Sequence, residues 1–256
     1  VCAMMALLMC GPVQAQKIVV GSCTLKDGGI YTGELIGGKP GGKGRVQYEN
    51  GDTYEGTFVK GLRQGEGTFT AADGSRYEGN WTKNEKNGKG TFYAVNNNRY
   101  VGTWYRNQKE GVGTMYYYNG DRYEGQWKGD KRNGRGTYTY QSGAYYKGDW
   151  VDDQKDGKGI FDWNDGSKYE GSWAANQRNG RGTYIYADGD YYNGDWKNDM
   201  QDGRGIYKFR NGFLLFLSFQ KGFGPFKVLW RVNTTRFDFC CADFNSQNCL
   251  QPTQLL

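Results

Sequence analysis

The sequence predicts an all-β chain: an elongated single-layer antiparallel β-meander of about eight 23-residue β-hairpin repeats. Three observations carry that prediction. The 256 residues include 42 glycines, 21 tyrosines, 13 phenylalanines and 8 tryptophans, so glycine alone runs at more than twice its usual ~7%. A 23-residue period recurs without insertion between residues 28 and 212. Inside each period large and small residues alternate with polar ones, the spacing of a strand and not of a helix. A mean hydropathy of −0.85 with 37% hydrophobic residues is too polar for a thick core, yet so many rings do not belong to a disordered chain. Only 4 prolines and no every-third glycine exclude collagen.

Three columns define the period. The first is Tyr-x-Gly-x-aromatic, as in Tyr54/Gly56/Phe58, Tyr77/Gly79/Trp81, Tyr100/Gly102/Trp104 and Tyr123/Gly125/Trp127. It continues through Tyr146/Gly148/Trp150, Tyr169/Gly171/Trp173 and Tyr192/Gly194/Trp196, with a weaker first copy at Tyr31/Gly33/Leu35. The second is Gly-x-Gly, from Gly42/Gly44 to Gly203/Gly205. The third is a turn glycine at 28, 51, 74, 120, 143, 166, 189 and 212, with Asn97 in the one vacant slot. Asparagine tolerates positive φ best after glycine, so the substitution fits a left-handed turn position.

Each copy reads as a hairpin. In the fifth, Tyr123-Glu124-Gly125-Gln126-Trp127 is one strand and Gly134 to Tyr140 the other. Lys128 to Asn133 is expected to be a polar loop, and Gln141 to Ala144 a turn into the next copy. Thr, Tyr and Trp favour strands, and glycine every few residues excludes helix. Rings and strand glycines then share one face, with Glu124, Gln126, Arg135, Thr137 and Thr139 on the other. One face-matched register sets Trp150 opposite Gly136 and Tyr138 opposite Gly148; another, shifted by two residues, matches faces equally. Either way each ring covers bare backbone, and hiding ~60–100 Å² per ring contributes about 1.5–2.5 kcal/mol before ordering costs. The expected structural core is Tyr54, Tyr77, Trp81, Tyr100, Trp104, Tyr123, Trp127, Tyr146, Trp150, Tyr169, Trp173, Tyr192 and Trp196.

These residues resemble the MORN repeat (membrane occupation and recognition nexus), whose pattern is Y-x-G-x-W, a short polar loop, then G-x-G-x-[ACGT]-x-[YF]. Tyr77 to Trp81 followed by Gly88 to Phe92 is close to that consensus. The resemblance implies a twisted antiparallel meander and roles in scaffolding, self-association and contact with membranes or partner proteins. It implies no catalysis.

The two ends differ from this ribbon. Val1 to Val13 is an apolar run too short to span a bilayer as a helix, followed by Val13-Gln14-Ala15, like the core and cleavage site of a secretory signal. That predicts a secreted, periplasmic or envelope-associated protein, or a cytoplasmic one if residues 1–15 are not a signal. Residues 16–27 form a linker or cap strand. After Gly212 the pattern stops: Leu215, Leu217 and Phe219 stand where Tyr, Gly and Trp would continue it. Residues 213–256 are therefore either an edge cap or frameshifted sequence. The six cysteines, at 2, 10, 23, 240, 241 and 249, form no CxxC pair.

The absence of histidine removes imidazole acid–base chemistry, Ser-His-Asp systems and His-containing zinc sites. Gly-x-Gly lies inside a strand and precedes no helix, so it is no phosphate loop. Asp152 to Asp156 lacks the glycine and terminal Glu of a Ca²⁺ loop and reads as a solvated tip. No catalytic residue, metal or cofactor is expected, nor a nucleic-acid or small-molecule ligand. The candidate binding feature is a basic stripe at the middle of Gly-x-Gly: Lys43, Lys89, Arg135, Lys158, Arg181 and Arg204. At two strands per copy these lie roughly 9–10 Å apart along one face, as suits an anionic lipid surface or another polyanion. Alternatively they make cross-strand ion pairs with Glu55, Glu78, Glu124 and Glu170. The sequence thus predicts a non-catalytic scaffold with an extended surface for proteins, itself or an anionic membrane. A glycan or cell-wall module using aromatic ladders is the other reading.

Overall fold

The computed structural model of the chain describes residues 17–218, together with the backbone of Trp230–Asn233 and Arg236–Phe239. Among them every regular element is a strand. A first unit holds β1 Ile18–Thr24, β2 Ile30–Ile36, β3 Lys39–Gln47, β4 Thr53–Val59, β5 Leu62–Thr70, β6 Arg76–Thr82 and β7 Glu85–Tyr93. A second holds most of β8 Arg99–Tyr105, then β9 Gln108–Tyr116, β10 Arg122–Lys128, β11 Lys131–Thr139, β12 Tyr145–Val151, β13 Gln154–Asp162 and β14 Lys168–Ala174. It continues through β15 Gln177–Ile185, β16 Tyr191–Lys197, β17 Met200–Lys208, β18 Leu214–Ser218, β19 Trp230–Asn233 and β20 Arg236–Phe239. Consecutive strands pair antiparallel from β1 to β7 and from β9 to β18, the single-layer meander that the period requires.

β18 keeps the register of the repeats, with Leu215 opposite Tyr207 and Leu217 opposite Gly205. The signal-like segment, Phe219, and the cysteines other than Cys23 lie outside the described residues.

The turn column behaves as its glycines require. Gly143 sits at φ 88° and its N–H donates to the Tyr140 carbonyl, while Tyr140 N–H donates to Ala144. Asn97 takes φ 65°, doing the glycine's job. The hairpin tips differ from expectation. Lys128 to Asn133 is not a loop: β10 and β11 run up to a two-residue turn, Gly129-Asp130, at φ 54° and 70°. Two consecutive positive φ values make the tight turn whose twist matches antiparallel strands. The extra residues are absorbed as a bulge between Gly125 and Trp127.

The register also corrects the first of the two alternatives. Trp150 faces Gly134, Tyr138 faces Tyr146, and Gly136 faces Gly148, the pairing shifted by two residues. Glycine meets glycine at every registered strand pair from Gly21↔Gly33 to Gly79↔Gly90 in the first unit. The same holds from Gly113↔Gly125 to Gly194↔Gly205 in the second. The tyrosines explain why. A carbon added to Gly136 would lie 2.3 Å from the Tyr123 hydroxyl oxygen, so this ring already fills the space above the glycine seam. Its hydroxyl donates to the Gln126 carbonyl at 3.0 Å, in the bulge where the strand ladder is interrupted. A buried phenol needs such an acceptor, and Tyr77, Tyr100, Tyr146, Tyr169 and Tyr192 each find theirs three residues on.

This seam predicts alkaline lability. Burial pushes the phenols of Tyr54, Tyr169 and Tyr192 from the usual 10.0 up to about 12, and raises those of Tyr77, Tyr100, Tyr123 and Tyr146 likewise. Above pH 10 the unfolded chain releases protons that the folded chain keeps, so stability present below pH 10 drains away as pH rises towards 12. Tyrosinate absorbance and far-ultraviolet circular dichroism should change together in one cooperative step. Separate titration of these phenols at ordinary alkaline pH, with the sheet intact, would contradict the burial.

Candidate functional site

The two faces of the sheet differ in how much of their side-chain chemistry is already committed. On the ring face every expected core ring is buried: Tyr54, Tyr77, Tyr123, Tyr146, Tyr169 and Tyr192 at 0% exposure, Tyr100 at 1%, and the tryptophans at 3–6%. Trp81, Trp127, Trp150, Trp173 and Trp196 each bridge two copies. Trp150 stands edge-on to Tyr123 at 5.4 Å and to Tyr146 at 5.1 Å, and its Nε1–H donates to the Gly136 carbonyl at 3.2 Å. Trp81, Trp127, Trp173 and Trp196 repeat that bond. Such rings offer a sugar no platform.

A second basic column completes this packing, and the sequence reading passed over it. Arg63, Lys109, Arg132, Lys155 and Arg178 recur at 23 residues or twice that, and lie 4.3–4.7 Å from the ring centres of Trp81, Trp127, Trp150, Trp173 and Trp196. Cation–π attraction of this kind contributes ~0.5–2 kcal/mol. Burial is the main cause that lowers the ammonium groups of Lys109 and Lys155 below their usual range. The tip of the following hairpin also holds the three arginine side chains from outside. The Asp153 carboxylate accepts from Arg132 N–H at 3.0 Å and Nε–H at 2.9 Å, and Asp199 does the same for Arg178. The recurring basic position in the period was the available signal.

At the far end of the strands lies a ladder of half-buried rings, including Tyr138, Tyr140, Trp163, Tyr184 and Tyr186. Their neighbours sit at 4.5–5.8 Å with Phe161 between them, so ring packs on ring.

The opposite face carries the predicted stripe. Lys43, Lys89, Arg135, Lys158, Arg181 and Arg204 are all exposed there. The expected partners Glu55, Glu78, Glu124 and Glu170 do not pair with them, because the two-residue shift sets threonine or isoleucine across from those glutamates, with Arg45 the exception opposite Glu55. Glu78 and Glu124 bind arginines on their own strands, Arg76 and Arg122. Arg135 and Arg181 meet Asp149 and Asp195 at 3.8 and 3.4 Å. With guanidinium side chains 91% and 72% exposed, these pairs hold their cations loosely. Lys158 Nζ donates to Ser172 Oγ at 2.7 Å.

Within the second unit this face forms a groove of about 860 Å³ across β11 to β16. Arg135, Lys158 and Arg181 line it with Lys147, against the carboxylates of Asp149 and Glu170. Lys147 stands where other copies carry Glu55, Glu78, Glu124 and Glu170, a substitution visible in the sequence. The groove floor is glycine backbone, with Thr137, Ile160 and Thr183 beside it. The bulge is closed from this side: Gln126 Oε1 accepts from Arg135 N–H at 2.8 Å and Asp149 Oδ2 from Lys158 N–H at 2.9 Å.

Comparison with known proteins finds the MORN repeat eight times in succession, over residues 31–53, 54–76, 77–99, 100–122, 123–145, 146–168, 169–191 and 192–213. No curated protein sequence matches the chain. Among solved structures, the TCP10 domain of Danio rerio CPAP is 14% identical, with a TM-score of 0.44 over 79% of this chain and 94% of that one. The TCP domain of Drosophila melanogaster SAS-4, solved with a proline-rich motif of Ana2, is 12% identical, with a TM-score of 0.34 over 84% and 97%. Virginiamycin B lyase from Staphylococcus aureus is 9% identical, with a TM-score of 0.18 over 82% and 87%. None of these overlaps is close enough to carry an argument about function.

Proposed function

The chain belongs to the MORN-repeat family, and on that premise we propose that it is a non-catalytic binding scaffold whose polar face docks an extended acidic segment of a partner protein. The observation that carries this is the groove across β11 to β16, where Arg135, Lys147, Lys158 and Arg181 outnumber Asp149 and Glu170. The ring face supports the assignment by elimination, since its tryptophans are packed between tyrosines and cations. A chain fits a groove where a flat bilayer does not, which favours a protein segment over a lipid surface. Cations one repeat apart suit carboxylates strung along an extended backbone. On the same reading residues 1–15 act as a secretory signal, and the scaffold works at or beyond the cell envelope.

The test uses a fluorescein-labelled poly-glutamate peptide, with phosphatidylserine vesicles alongside. The wild-type chain should bind the peptide, with affinity falling roughly tenfold between low and high salt as exposed charges are screened. The triple variant Arg135→Glu, Lys158→Glu, Arg181→Glu should lose that binding and keep its thermal midpoint. Unchanged peptide binding by the variant, or binding of the vesicles in preference to the peptide, would overturn the reading.

A further inference from the structure

Among the described residues of the first unit, β1 is an edge strand. β1 pairs with β2 along all seven residues, and among the described residues no strand lies against its other side. Its sequence, Ile18-Val19-Val20-Gly21-Ser22-Cys23-Thr24, carries no charge and no proline. Those are the devices by which edge strands are usually kept from pairing with other chains. Ile18, Val19 and Val20 are 58%, 49% and 77% exposed.

We propose that β1 pairs with β1 of a second copy of this chain, antiparallel, about a two-fold axis through Gly21. The glycine seam selects both partner and register. Every registered strand pair of the first unit sets glycine against glycine, beginning with Gly21↔Gly33. Self-pairing centred on Gly21 continues the seam with Gly21 of the second copy. It sets Val19 against Cys23, Val20 against Ser22 and Ile18 against Thr24, each twice. Val19 and Cys23 lie on the ring face, since they oppose Leu35 and Tyr31 in β2, so the ring face gains two apolar pairs. Valine, isoleucine, serine and threonine meet on the other face, and no charge is buried. A one-residue slip would turn every side chain to the wrong face. A two-residue slip would place valine or cysteine over the seam. The interface is self-complementary, as a two-fold dimer requires. It is independent of the polar groove.

The register gives a chemical test. In the full chain, with Cys2, Cys10, Cys240, Cys241 and Cys249 changed to serine, Cys23 is left alone. Within one strand positions 19 and 23 are about 13 Å apart, too far for an internal disulfide. Val19→Cys in that background should give a dimer under diamide, and mass spectrometry should find position 19 of one copy joined to Cys23 of the other. Val20→Cys, on the other face, should not crosslink. In sedimentation the unmodified chain should shift from monomer to dimer as concentration rises. Val20→Lys, at a position already exposed, should stay monomeric with an unchanged circular dichroism spectrum. A wild-type chain monomeric at every concentration, a dimer that survives Val20→Lys, or a disulfide linking any pair other than position 19 and Cys23 would each overturn the proposal.

Discussion

Trp150→Ala should destabilise the second unit by about 3–5 kcal/mol, the range for truncating a buried large ring. The ring is 4% exposed and stands between two copies of the repeat. Its loss removes edge contacts to Tyr123 and Tyr146, the face on which the Arg132 guanidinium rests at 4.3 Å, and the donor to the Gly136 carbonyl. Among the described residues no second layer stands behind it to collapse into the space. Trp150→Phe keeps most of the packing and loses the N–H, so it should cost only about 1 kcal/mol. In a stacked array each unit leans on its neighbours, and hydrogen exchange should accelerate first in β11 and β12. Urea denaturation of the three proteins checks the ranking. A loss below about 1 kcal/mol for Trp150→Ala would mean that the rings do not hold the copies together.

Gly136→Ala should cost about 3 kcal/mol or more, the upper end for overpacking, although it adds a single methyl group. The added carbon would lie 2.3, 2.5 and 2.6 Å from Oη, Cζ and Cε2 of Tyr123. That ring has no exposed surface and is hemmed in by Trp127 and Trp150 at 5.2 and 5.4 Å, so it has nowhere to move. The control is Gly74→Ala, at φ 90° with nothing within 4 Å. It should cost only the ~1–2 kcal/mol of a left-handed alanine. In a Tyr123→Ala background the Gly136→Ala penalty should nearly vanish, a coupling that a double-mutant cycle reads directly. Additive losses would show that Tyr123 does not fill the space above this glycine.

Much of this was legible because the period writes each requirement many times. Asn97 in a glycine column announces a left-handed turn, and alternation through Tyr123-Glu124-Gly125-Gln126-Trp127 announces which side chains share a face. The register was not legible, since a shift of two residues preserves every face. It was settled by the Tyr123 ring, which lies over Gly136 of the neighbouring strand and leaves no room there for a side chain. The basic stripe was found because Lys158 and Arg181 sit between glycines. Arg132 and Lys155 were missed because a cation beside a turn reads as solvated until the indole under it is seen. The polar groove was hidden for the same kind of reason: Lys147 joins Arg135 and Lys158 only through strand pairing.

Local steric rules therefore determined from the sequence alone that the chain is a meander of hairpins, with rings over glycine on one face and charge on the other. Those rules act within a few residues and are repeated in each copy. Tertiary structure alone decided which glycine each ring covers, which cations are consumed by indoles, and which line a groove. Such choices rest on contacts between residues 13 to 21 positions apart, from the Tyr123 ring over Gly136 to the Arg132–Asp153 clasp, and no local pattern ranks the alternatives.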